Sequence, residues 1–555
     1  MNPRMRKPRL FVASCLLVAL AAIAGCVHNG STAGEHRDVP EGPPSLALVP
    51  ADTPYALASL KPIDPAVYSA MLQRAKAVFD GIGTEVDAQL LASEQPGLRV
   101  YGSFLAEMRT HFDVKGIEEL GLDTRGRIVV YGVSLYPILR YEVKDAAKVH
   151  ASIVRILERA KVETAEQHAG AQAYWQIDIE GHSVVVALVA NELVVAFAPS
   201  HILPDFLPYV FGQKKPAQSI AQAGTLRQLA GVHGFDGSMV GFADFDMIAK
   251  LLLGEVQGAL PVPLHEGAGI TDVCKKDIHR LIGYAPRLVL GAEAFSASEA
   301  TFAFTFETTQ AISGALAALS HPVAGMELAP KSPPLAVLGV GVNVADAIST
   351  MRKGAQAILA APFACPEMAE INDMAKELDA SLAQPLPGAV TGLSGAVLTL
   401  DELDTQAQPM KIAGGALLVG ASAGDLLRMG LSMIAPGQTS GLAADGKPVA
   451  LNLASHGIPG VEQAYVGLKS DRAAAAVGAK ASERVVSLLG ASAPAHAPLF
   501  LLGMDLGRLS KLVPGMADSS NRAAMALAQY YGYATYALDA DPRRGVTLRF
   551  YMQLK

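Results

Sequence analysis

The chain is written twice. The segment Tyr55-Ala-Leu-Ala-Ser-Leu-Lys-Pro-Ile-Asp-Pro, running to Met71, sets against Leu335-Ala-Val-Leu-Gly-Val-Gly-Val-Asn, running to Met351, about 280 residues later. Four further blocks follow in the same order. Ile138–Ile153 sets against Leu418–Met433, with Asp145 over Asp425, and Val185–Leu203 sets against Val466–Arg484. Asp244–Leu252 sets against Asp505–Val513, and Gly283-Tyr-Ala with a hairpin ending at Phe306 sets against Gly532-Tyr-Ala with a hairpin ending at Met552. The spacing drifts while the order holds, as a duplication with later loop insertions produces. Whatever one half folds into, the other must fold into as well.

Each copy mixes short alternating strands with helices. Hairpins are expected at Arg287–Phe306 around Ser296–Glu299 and at Tyr533–Met552 around Asp541–Gly545. They make the pairing at least partly antiparallel. The apolar stretch Val184–Ala198, broken by Asn191-Glu192, reads as two strands rather than a membrane helix. Helix starts are expected at Asp64-Pro65, Asp145 and Asp425. The fold class is therefore α+β: a tandem duplication of an antiparallel-rich sheet with packed helices, over residues 47–310 and 330–555. The junction is Ser320-His321-Pro322 and then Pro330-Lys331-Ser332-Pro333-Pro334.

Composition closes off other classes. Hydrophobic residues make up 51% and charged residues 17%, which excludes a disordered chain. The 52 Gly and 34 Pro, spread along the whole length, exclude a coiled coil. A net charge of −7 leaves no basic field for nucleic acid.

The N-terminus reads as an address. Arg4, Arg6, Lys7 and Arg9 precede an apolar run from Leu10 to Ala24, which ends in Ile23-Ala24-Gly25-Cys26. This resembles a bacterial lipoprotein signal. The resemblance implies diacylglyceryl transfer to the Cys26 sulfur, cleavage before Cys26, and acylation of the new amine with a fatty acid such as palmitate. Residues 1–25 are then the signal peptide. Residues 26–46, polar and rich in Gly and Pro, read as a flexible tether. Val27 is not the Asp that favours inner-membrane retention in enteric bacteria, so the expected location is the outer membrane, lipid-anchored, with the body in the periplasm. The opening Pro50-Ala-Asp-Thr-Pro-Tyr, followed by a strand and an Asp-Pro-capped helix, resembles an uncharacterised family of repeat-containing envelope proteins. No catalytic residues come with that resemblance.

Catalytic spacing is scarce. Gly420-Ala-Ser422-Ala-Gly424 has the strand–turn–helix context of a nucleophile elbow, with His456 or His496 and Asp445 or Asp505 available downstream. Gly, Ala and Ser are abundant here, however, and the aligned first-copy residues Arg140, Glu142 and Lys144 have no serine. Gly339-Val-Gly341 lacks the third glycine of a dinucleotide loop and reads as close packing on a strand. No metal-ligand spacing is present and no cofactor is expected. Two cysteines remain in the mature chain, Cys274 and Cys365, one from each copy, and a disulfide between them is expected to pin the halves together. Three functions follow: a non-enzymatic scaffold or binding protein partnered with other envelope proteins, a carrier of a lipid or other apolar ligand, and a serine hydrolase using Ser422. A concave apolar pocket between sheet and helices is the feature that would favour the carrier.

Overall fold

A computed structural model describes residues 39–82, 85–162, 165–262, 270–408, 410–438, 441–452, 463–512, 528 and 530–555. The chain divides into two compact units. Among the described residues, unit 1 comprises those up to 262, 286–303, 528 and 530; unit 2 comprises those in 270–285, 304–512 and 531–555.

Unit 1 holds β1 (Tyr55–Ala58), β2 (Ile128–Val133), β3 (Tyr136–Glu142), β4 (Gln167–Ala169), β5 (Gln172–Ile179), β6 (His182–Val189), β7 (Glu192–Pro199), β8 (Val240–Asp244), β9 (Arg287–Phe295) and β10 (Glu299–Glu307). Residues of β10 from Phe304 onward are counted with unit 2. The antiparallel pairings give the order β4-β5-β6-β7-β3-β2-β1-β8-β9-β10. Alternate residues of one strand feed two different cores. Val194 and Ala196 of β7 join a cluster with Phe206 and Leu207 of the helix Leu203–Val210. Val195 joins a second cluster with Val100 and Leu157, from α1 (Pro96–Thr110) and α2 (Ala146–Arg159). The period of two along a strand therefore puts helices on both faces of the sheet.

Unit 2 holds β11 (Ala336–Val340), β12 (Leu393–Asp404), β13 (Lys411–Gly420), β14 (Val449–Leu451), β15 (Ala464–Leu468), β16 (Arg472–Val477), β17 (Phe500–Asp505), β18 (Tyr531–Asp541) and β19 (Gly545–Leu554). Their order, β14-β15-β16-β13-β12-β11-β17-β18-β19, is that of unit 1 element for element once β4 is set aside. Caps repeat as well: Asp244 accepts from the backbone N–H of Met247, and Asp505 from that of Arg508.

Four expectations need correction. The fifth aligned block slips by three residues. Asp244 pairs with Arg287 and Asp505 with Tyr533, so Gly532-Tyr533-Ala534 corresponds to Pro286-Arg287-Leu288, not to Gly283-Tyr284-Ala285. The second-copy counterpart of α2, the helix Ala423–Ile434, begins after Ser422, whose side chain makes no capping bond, while Asp425 sits in its first turn paired with Arg428. The folded body starts before residue 47: Leu46 is buried, Val39 packs on the same core, and Gly42 takes a left-handed φ of 88° at the turn between them. Finally, Cys274 and Cys365 do form a disulfide, but both lie in unit 2. The helix carrying Cys274, α3 (Asp272–Ile282), docks on the 361–368 segment, where the Asp277 carboxylate accepts from the N–H groups of Ala364 and Cys365 and Arg280 donates to the Ala361 carbonyl. The bridge thus still ties the first copy to the second, but the first-copy segment that carries Cys274 is counted with unit 2 rather than with its own copy's unit.

Candidate ligand-binding site

In unit 1, α1 and α2 do not close fully on the sheet. Between them and β5, β6 and β7 lies a cavity of ≈ 130 Å³. Val100, Phe104 and Met108 come from α1; Val149, Ile153 and Ile156 come from α2; Trp175, Val186 and Leu193 form part of the sheet wall. Each element presents these residues for a local reason. Asp145 caps α2 through the N–H groups of Ala147 and Lys148, which fixes the turn that aims Val149 and Ile153 inward. Gly97 approaches so closely that an added Cβ would strike Ile179 at 2.6 Å, which lets the start of α1 settle on β5. Phe104, Ile153, Ile156, Val186 and Leu193 remain only half-buried, so the hollow communicates with solvent. A hollow of this size forgoes packing that, for an enclosed void, is worth about 3 kcal/mol at ~24 cal/mol per Å³. That is a large sum beside a typical domain stability of ~5–15 kcal/mol.

Two polar side chains reach the wall, Glu107 and Ser152. Glu107 is 3% exposed at the side chain, and its carboxylate accepts from Arg155 Nε (3.0 Å) and Nη2 (2.8 Å) and from Arg159 Nη2 (2.8 Å). Ser152 Oγ accepts from Arg155 Nη2 and donates to the Lys148 carbonyl. Burial pushes the Glu107 carboxyl up, but the two guanidinium groups more than reverse this and hold it below the ordinary carboxylate range. The triad's contribution to stability is therefore present above the ordinary glutamate pKa and is lost as pH falls through the lowered one. Trp175, the one tryptophan of the chain, is buried in the wall 5.0 Å from the His150 ring.

The residues singled out in the sequence fall elsewhere. Ser422 is nearly buried and its hydroxyl donates to the Ala389 carbonyl, a group that cannot act as a base. Asp445 is engaged with Lys447, Asp505 caps its helix and pairs with Arg508, and His496 is exposed. His456, Cys26, the signal and most of the tether lie outside the described residues. Gly339 and Gly341 do mark close packing, against Met326 and the His321 carbonyl. Among the described residues, Cys274, Cys365 and Glu367 alone cluster at metal-ligand distances, and the two sulfurs are already bonded to each other. The sequence offered no spacing signal for the cavity, because its walls come from helices and strands whose separation is set in three dimensions.

Unit 2 carries a different apolar feature. Register places Leu398, Leu338, Leu502, Tyr536 and Phe550 side by side across five strands, with Val340, Phe500, Leu538 and Leu548 in the next row. Leu398 is 57% exposed, and Leu338, Val340, Phe500, Tyr536 and Leu548 are exposed as well.

Comparison with models of protein families, with curated proteins and with solved structures finds no match to this chain.

Proposed function

We propose that this protein is a lipid-anchored envelope protein whose first unit binds the apolar part of a small ligand in the cavity beneath α1 and α2. The observation that carries the reading is a solvent-connected hollow whose side chains are apolar except for Glu107 and Ser152, kept at a cost in packing energy. Its ≈ 130 Å³ approaches the ~150 Å³ that admits a benzene ring, so one ring or a short alkyl end fits inside while the rest of the ligand projects outward. Trp175 supplies the test. With the full chain secreted behind an ordinary signal, so that Cys26 carries no lipid, 8-bromo-1-octanol should quench Trp175 emission saturably as bromine contacts the indole. Val186→Phe should fill the hollow and weaken binding by tenfold or more, with the melting temperature unchanged or raised. Non-saturating quenching no stronger than that of free N-acetyltryptophanamide, or equal binding by Val186→Phe, would overturn the reading.

The exposed apolar rows of unit 2 favour a second reading, a scaffold that docks an envelope partner on that sheet face. It becomes the better account if the Trp175 titration fails.

The anchor is part of the same proposal. No helix among the described residues is long and apolar enough to cross a membrane. Cys26→Ser should therefore abolish incorporation of labelled fatty acid, and an ordinary secretory signal should release the body into the soluble periplasmic fraction. Label on the Cys26→Ser protein would sink the assignment of Cys26. Membrane retention of the swapped form after a high-salt wash would instead reveal a lipid-binding surface on the body.

A further inference from the structure

We infer that the cavity takes an anionic amphiphile, one whose polar end is an oxyanion such as a carboxylate or phosphate; this rests on the apolar-ligand reading above. A ligand with its apolar end in the hollow must present its polar end to whatever polar groups border the wall. Those are Glu107 and Ser152, and both are already held by one guanidinium, that of Arg155. Arg155 spends Nε and Nη2 on them, and among the described residues its Nη1 has no bond of its own. Arg159, one turn further along α2, donates to the second oxygen of Glu107 and to the Ser103 carbonyl. Two guanidinium groups thus share one buried carboxylate. The carboxylate is hidden, at 3% exposure, while Arg155 and Arg159 are 45% and 40% exposed. What faces the solvent beside Glu107 and Ser152 is therefore an excess of positive charge, offered by the residue type whose planar fork suits an oxyanion. A neutral or cationic head would find no comparable partner there, and a cationic head would be repelled.

The Glu107–Arg155–Arg159 triad also clamps α1 to α2, and a clamp alone would predict no preference for head-group charge. Four probes of one chain length separate the two roles: 8-bromooctanoate, 8-bromooctyl phosphate, 8-bromo-1-octanol and 8-bromooctylammonium, each titrated against Trp175 emission at neutral pH. The anions should bind about tenfold tighter than the alcohol, a modest factor because the guanidiniums are half-exposed, and the advantage should shrink in high salt. The ammonium should bind more weakly than the alcohol. The tighter of the two anions identifies the head group. Arg155→Gln should bring the anions to the level of the alcohol while the alcohol itself binds as before, and Arg155→Lys should keep part of the preference. Equal affinity for anions and alcohol, or an anion preference untouched by Arg155→Gln, would overturn this inference and leave the apolar site standing. Failure of every probe to quench would remove the apolar site itself. A shared loss of affinity for all four probes in both Arg155 variants would assign the triad to clamping alone.

Discussion

Replacing Cys274 and Cys365 together with alanine should destabilise unit 2 by about 4 kcal/mol, because the bridge closes a loop of 91 residues and loop closure restricts the unfolded chain. For a unit of this size the corresponding drop in melting temperature is roughly 10 °C. The effect should be confined to one half of the molecule. Both cysteines lie in unit 2, whereas Trp175 lies in unit 1. Tryptophan emission should therefore follow an unchanged transition while far-UV circular dichroism loses part of its amplitude at lower temperature. The loss should stop short of unfolding unit 2, since Asp277 and Arg280 still tie α3 to the 361–368 segment, with the Arg280 guanidinium 3.7 Å from the centre of the Phe363 ring. A double variant that melts like the parent would show that the bridge adds nothing to that tie. Movement of the Trp175 transition alone would show that the staple belongs to the other unit.

Glu192→Ala should cost about 3 kcal/mol in unit 1, the lower end of what breaking a buried ion pair costs, because Glu192 retains some contact with water. Its partner Arg140 is among the largest fully buried side chains, 1% exposed, on β3. The guanidinium donates to Glu192 (2.9 Å), to the Tyr131 hydroxyl (3.3 Å) and to the Val210 carbonyl (2.5 Å). Burial works against its charge, and the Tyr131 and Glu192 oxygens more than offset that. Removing Glu192 leaves a cation inside the sheet–helix layer with no counter-charge. Replacing both partners with methionine should recover most of the loss, since neither charge then needs solvation. Urea unfolding followed by Trp175 emission measures both variants. A single variant within 0.5 kcal/mol of the parent, the ~0.5 kcal/mol scatter of ordinary surface changes, would refute the claim.

Local chemistry was legible in the sequence wherever neighbours along the chain decide the outcome. The hairpins at Arg287–Phe306 and Tyr533–Met552, the break at Asn191 between β6 and β7, and the caps at Asp64 and Asp145 all lie where alternation or a capping side chain placed them. Errors arose where two local signals compete. Ser422 and Asp425 are both capping residue types three positions apart, and the backbone begins its helix after the first although the Ser422 side chain makes no cap. The Gly-Tyr-Ala identity at 283 and 532 is a coincidence of small residues, because register follows the partner strand rather than the letters. The Pro-rich stretch around 330 looked like a domain boundary, yet compactness follows contacts, and α3 makes its contacts with the 361–368 segment. The cavity was invisible for the same reason. Glu107, Arg155 and Arg159 meet across two helices, and no spacing rule joins them. The α+β class with a repeated sheet was legible because it follows from order alone.

Both sheets stop at a stub. β4 and β14 are three residues long, and each pairs with a single neighbour among the described residues. An unpaired strand edge is a template for any other strand, and a chain that encodes one sheet twice carries a nearly matching strand for every template it exposes. While the second copy is still emerging, the first is its closest neighbour and the most probable place for it to pair wrongly. A stub of three residues offers only a few backbone groups, too few to hold an errant strand against thermal loss. The shortness of β4 and β14 therefore limits what either edge can recruit.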